Sequence, residues 1–123
     1  MSANQNGIPL SAMVIMAHPD DAEFTVAGTV AKWAQAGCQV MYVLCTSGNA
    51  GSHEPGMTRE KLAAIREQEQ RAACRVLGAQ QVVFLGYDDG TLQPTLELRR
   101  DMVRQIRRFR PDGIITYDST GVF

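Results

Sequence analysis

Four short apolar runs, separated by stretches of helical periodicity, constrain this chain more than any other feature. They are residues 11–17 (SAMVIMA), 39–45 (QVMYVLC), 81–85 (QVVFL) and 113–117 (GIITY). The first two are continuous rather than alternating, the mark of strands buried on both faces. After the first run, Phe24, Val26, Ala27, Val30, Ala31 and Ala34 recur near helical spacing until Gly37 stops them. Thr58 is placed to cap a second helix that runs to Leu77 through Leu62, Ile65, Ala72, Ala73 and Val76, with Gly78 closing it. A third helix uses Leu98, Met102, Val103, Ile106 and Phe109 and ends at Pro111. The order β-α-β-α-β-α-β, with helices long enough to cross between parallel strands, predicts an α/β chain. Its fold is a Rossmann-like open parallel sheet with flanking helices, incomplete at the C-terminus. Residues 1–10 read as a flexible lead-in, and residues 11–123 as a single domain or the N-terminal part of one.

In a parallel sheet every strand points its C-terminal end to one edge. Here those ends carry His18-Pro19-Asp20-Asp21, Thr46-Ser47-Gly48-Asn49-Ala50-Gly51, Tyr87-Asp88-Asp89-Gly90 and Thr116-Tyr117-Asp118-Ser119-Thr120. The opposite loops are tight: Gly37-Cys38, Gly78-Ala79-Gln80 and Arg110-Pro111-Asp112. Acidic and hydroxylated side chains therefore gather on a single rim, where open α/β sheets place their ligands.

Composition narrows the partners. At 123 residues with 45% hydrophobic and 20% charged residues, the chain reads as an ordinary soluble domain. A formal charge of -1 gives no global pull toward nucleic acid or an anionic membrane, and neither is expected as a partner. The arginines 99, 100, 104, 107, 108 and 110 crowd one helix, but Glu97 and Asp101 intersperse them and a solvated face explains them better than RNA binding. Cys38, Cys45 and Cys74 form no C-x-x-C pair, and residues 1–7 have no secretory pattern, so a reduced, cytoplasmic chain is expected.

The densest chemistry lies in residues 17–23, AHPDDAE. His18 and Asp21, three apart across a turn, can reach one ion while Asp20 points elsewhere. A carboxylate left beside a metal-bound water can take its proton. Simple helix capping by Asp20 or Asp21 competes with this reading. The loop 46–51 can offer backbone N–H groups to a substrate or anion, though it is neither a G-x-G-x-x-G nor a P-loop. His53 in that loop is left unassigned. Arg66 and Glu69 sit one turn apart and can pair, with Glu69 expected on the buried face. Asp88 and Asp89 suit a turn, and a substrate contact for one of them.

These residues resemble the zinc-dependent N-deacetylases of the PIG-L/LmbE type. The A-H-P-D-D-x-E run is residues 17–23. T-x-G-x-x-G is present as Thr46, Gly48 and Gly51, and R-x-x-E-x-x-x-A-x-x-x-L-G as Arg66, Glu69, Ala73, Leu77 and Gly78. F-L-x-x-x-D-G-x-L follows as Phe84, Leu85, Asp89, Gly90 and Leu92, then R-P-D-x-I-x-T as Arg110, Pro111, Asp112, Ile114 and Thr116. The match covers residues 12–123. The resemblance implies a hydrolase that removes an acetyl group from an N-acetylated amino sugar or related small amide. His18 and Asp21 would be zinc ligands, Asp20 the general base, and Arg66 and Asp89 substrate-binding positions. A homo-oligomeric assembly is compatible with it.

Two departures shape the expectation. Asn49 stands where many members of the family carry glutamate. The H-x-x-H element, which in the family supplies the third zinc ligand, does not occur before Phe123. The chain is therefore expected to be the N-terminal portion of a longer deacetylase, inactive or weakly active alone, with the third Zn2+ ligand beyond Phe123. The competing expectation is a non-catalytic domain of the same fold that binds a sugar or nucleotide.

Overall fold

The computed structural model describes residues 7–50 and 53–118. Residues 1–6 of the predicted lead-in, Gly51, Ser119 and Thr120 lie outside the described residues. Four parallel strands, β1 (Ser11–Met16), β2 (Gln39–Thr46), β3 (Gln81–Tyr87) and β4 (Gly113–Ile115), form one sheet in the order β3-β2-β1-β4. The helices are α1 (Asp21–Thr25), α2 (Ala27–Gln35), α3 (Arg59–Leu77) and α4 (Leu96–Phe109). The α/β parallel sheet with flanking helices is thus the observed fold.

Strand pleating explains why β1 and β2 are apolar throughout. Ala12, Val14 and Met16 share one face with Val40, Tyr42 and Leu44, and pack against Val30 and Trp33 of α2 and Cys74 and Leu77 of α3. Met13, Ile15, Met41 and Val43 point the other way, against Met102, Ile106 and Phe109 of α4. Helices thus cover both faces. The chain steps outward from β1 to β3, then α4 carries it back to lay β4 beside β1. The reversal lies between β1 and β4, the switch point where such sheets bind ligands.

Caps define the longer helices. Thr58 Oγ1 accepts Lys61 N–H at 3.1 Å, and Thr95 Oγ1 accepts Leu98 N–H at 3.1 Å. Gly78 ends α3 at φ 90, and a Cβ there would lie 2.9 Å from Ala34 Cβ, so conformation and packing both require glycine.

Three details differ from the sequence reading. The single helix expected after β1 is two, because Val26 at φ -127 interrupts it. Thr25 Oγ1 donates to Asp21 O at 2.8 Å, a local bond that competes with helix continuation, and Phe24 is left 87% exposed. The face α3 buries is Leu62, Gln70 and Cys74, whereas Val76 is 87% exposed and Glu69 is also exposed. Polar contacts to the loop after β1, rather than apolarity, set that helix's rotation. Finally, β4 pairs only through Ile115, although Thr116 Oγ1 still donates to Ile15 O at 2.7 Å.

Candidate active site

The loop leaving β1 and the start of α1 place His18, Asp20 and Asp21 on the predicted rim. Asp21 Oδ2 accepts the backbone N–H of His18 at 3.0 Å and lies 3.5 Å from His18 Nδ1. The other face of the ring is also engaged: His18 Nε2 is 2.7 Å from Asp89 Oδ1, donated by the loop after β3. Asp20 points away from this pair, and its Oδ2 is 2.9 Å from Nη1 of Arg66 on α3. All five residues singled out from the sequence come together. Their links are His18 with Asp21 and Asp89, and Asp20 with Arg66.

Helix capping does not account for the aspartates. Asp20 occupies the N-cap position of α1 but makes no side-chain capping bond, and its carboxylate serves Arg66 instead. Of the two roles open to Arg66, pairing with Glu69 gives way to this contact, since Arg66 lies on the inward stripe of α3 and Glu69 off it.

The described part of the loop after β2 supports the site. Thr46 Oγ1 donates to Ala17 O at 2.9 Å and accepts Gly48 N–H at 3.2 Å. Gly48 at φ 68 lets the chain pass close to Pro19 and Arg66, which a Cβ would meet at 3.4 and 3.7 Å. Ala50 N–H reaches Asp89 Oδ2 at 3.3 Å. Asn49 accepts Asp89 N–H at 2.9 Å and donates to Asp88 Oδ1 at 3.3 Å, so it fixes the loop that presents Asp89. His53 lines a cavity with Asn49, Ala50, Thr58 and Leu62.

Gln70 is the residue that sequence reasoning missed. Wholly buried on α3, it accepts Asp20 N–H at 3.0 Å and donates to Glu23 Oε1 at 2.5 Å. The spacing Leu62, Arg66, Gln70, Cys74 is a stripe at every fourth residue, and that period was the available signal. Behind it, burial and then Glu23 raise the Tyr42 hydroxyl above its ordinary range, and burial pushes the Cys74 thiol up to about 11.

His18 Nδ1 and Asp21 Oδ2 suit a single cation. Two tetrahedral zinc ligands, each about 2.0–2.1 Å from the metal, lie about 3.4 Å apart, close to the 3.5 Å here. A His18 ring that donates from Nε2 to Asp89 turns the lone pair of Nδ1 toward Asp21, the histidine–carboxylate arrangement common at metal sites. Among the described residues no group of three or more His, Cys, Asp or Glu suited to a metal ion occurs.

Over most of its length the chain is similar to known proteins. The profile of the PIG-L family, described as GlcNAc-PI de-N-acetylase, matches residues 13–122. A probable N-acetyl-alpha-D-glucosaminyl L-malate deacetylase 2 of Bacillus anthracis is 34% identical over 110 residues, covering 85% of this chain and 49% of that protein. The diacetylchitobiose deacetylase of Thermococcus kodakarensis is 31% identical, with 86% and 40% covered. Among solved structures, the N,N'-diacetylchitobiose deacetylase of Pyrococcus horikoshii superposes with a TM-score of 0.83 at 33% identity, over 85% of this chain and 39% of that one. The 4-carboxy-2-hydroxymuconate hydratase of Pseudomonas putida gives 0.81 at 25% identity, over 90% and 49%. The chain thus spans less than half the length of each.

Proposed function

Because this chain belongs to the PIG-L family, we propose that it carries the metal-binding and proton-transfer part of a zinc-dependent N-deacetylase acting on an N-acetylated amino sugar or related small amide. The observation that carries the reading is the division of labour among adjacent residues. His18 and Asp21 face each other across 3.5 Å, while Asp20 is held apart by Arg66. In this reading His18 and Asp21 hold the zinc, with a third protein ligand from outside the described residues. A zinc ion held there would supply Lewis-acid polarisation of an amide carbonyl and lower the pKa of water.

The chain's own residues do the rest. Asp20 keeps one oxygen on Arg66 and has 37% of its side chain open, so its second oxygen can take a proton from an attacking water and return it to the leaving amine. Arg66 fixes that carboxylate and leaves donors over for a sugar hydroxyl or carbonyl. Asp89, assigned to substrate by the resemblance, holds His18 Nε2 through one oxygen. It can contact substrate through the rest of its loop while orienting the ligand ring. The two relatives named above are, by name, deacetylases of N-acetylated sugars, which supports the substrate class. We place residues 11–123 as the N-terminal part of one such domain, and the whole protein in a reducing compartment, where the three buried free thiols are stable.

The test is deacetylation of N,N'-diacetylchitobiose by the full-length protein, with chelation and zinc add-back. Released acetate that falls on chelation and returns with zinc is the expected result. Sugar binding without hydrolysis would favour a non-catalytic domain. The same fold also serves a hydratase, so the product to measure is acetate rather than substrate loss.

A further inference from the structure

Asp20 is held twice by the same helix, once through its side chain and once through its backbone. Arg66 takes Oδ2 at 2.9 Å, and one turn later Gln70 Oε1 accepts the Asp20 N–H at 3.0 Å. The orientation of the Gln70 amide is fixed by chemistry, because a backbone N–H can only donate and the Glu23 carboxylate only accept. Both ends of a fully buried amide are therefore committed to the turn that carries the site. A leucine or methionine would fill the same space without the desolvation penalty, so the polar side chain has to be explained by those bonds.

Asp20 needs such a hold. It stands at φ 75 and ψ -15, a left-handed conformation unfavourable for a residue with a Cβ. That conformation turns its carboxylate toward Arg66 while Asp21 turns toward His18. A relaxed Asp20 would rotate both its N–H and its carboxylate. We propose that Gln70 is a positioning residue for the general base: it selects the left-handed Asp20 and so aims the carboxylate at the reacting water. This rests on the function proposed above, and Gln70 itself touches no substrate.

The experiment uses the full-length protein and compares Gln70→Met, Gln70→Glu and the exchange Gln70→Glu/Glu23→Gln, with zinc content measured in each. Gln70→Met is expected to lower kcat about 10–100-fold, the scale of a small misplacement of a reacting group. KM should stay within about threefold and zinc should remain stoichiometric. The exchange restores an acceptor for Asp20 N–H and a donor opposite it, and should recover most of the lost kcat even if Gln70→Met folds poorly. In an Asp20→Asn background Gln70→Met should cost less than about twofold more, because it acts through Asp20. Independently of activity, hydrogen exchange at the Asp20 amide should quicken in Gln70→Met while β1 amides keep their rates. An equal loss of kcat in both backgrounds, or no loss where Asp20→Asn itself is crippling, overturns the role of Gln70. An Asp20→Asn protein with unchanged kcat instead overturns the general-base assignment, and with it the partner that Gln70 would position.

Discussion

His18 Nε2 lies 2.7 Å from Asp89 Oδ1, on the side of the ring away from Asp21. The two residues follow strands separated by β2, His18 after β1 and Asp89 after the edge strand β3, and the loop held by Asn49 brings them together. An imidazole pinned on one nitrogen presents the other in a fixed direction, which is how outer carboxylates strengthen metal ligands. Replacing Asp89 by Ala should therefore weaken zinc binding about 10–100-fold in the full-length protein without unfolding it. Competition with a chelator measures this, and an unchanged affinity would leave Asp89 with a substrate role alone.

Tyr42 tests the packing behind the site. It is entirely buried, and its hydroxyl has no hydrogen-bond partner among the described residues. A buried unpaired hydroxyl costs about 1–3 kcal/mol, so Tyr42→Phe should leave stability equal or raise it by up to that amount. Urea denaturation decides, and a clear loss of stability would mean that the hydroxyl is bonded.

Gly78 should tolerate no side chain. Gly78→Ala puts a Cβ at φ 90 and 2.9 Å from Ala34, and should cost about 1–3 kcal/mol in the same denaturation experiment. An Ala variant as stable as the parent would show that α2 and α3 shift freely against one another.

Cys74 gives an alkaline signature. Its thiol is raised to about 11, first by burial, while the Gln70 hydrogen bond works in the opposite direction. A raised acid pKa in the folded state contributes stability below the unfolded value of 9.0, and this is lost as pH climbs toward about 11. Stability should therefore decline over that window, and Cys74→Ala should flatten the decline. Thiol labelling of the native protein at pH 8 should be slow at this residue. Rapid labelling would contradict the burial.

Much of this was legible in the sequence, for identifiable reasons. Continuous apolar runs fixed β1 and β2 because both faces of those strands are covered, and strand polarity alone gathered His18, Asp20, Asp21 and Asp89 on one rim. The rotation of α3 was not legible. Its apolar residues suggested a face through Ile65 and Val76, yet Arg66 and Gln70 turn inward to reach Asp20. Periodicity scores apolar burial and is blind to a helix that buries hydrogen bonds. The break at Val26 escaped for a similar reason, since a Thr25 side chain bonding back to Asp21 leaves no mark on hydrophobic spacing.

The separation of ligand from base is tested most directly by zinc stoichiometry and kcat in two neighbouring substitutions of the full-length protein. Asp21→Asn should lose the metal, whereas Asp20→Asn should keep it and lose about 10²–10⁴-fold in kcat. Equal loss of zinc from both, or an Asp20→Asn protein as active as the parent, would contradict the assignment.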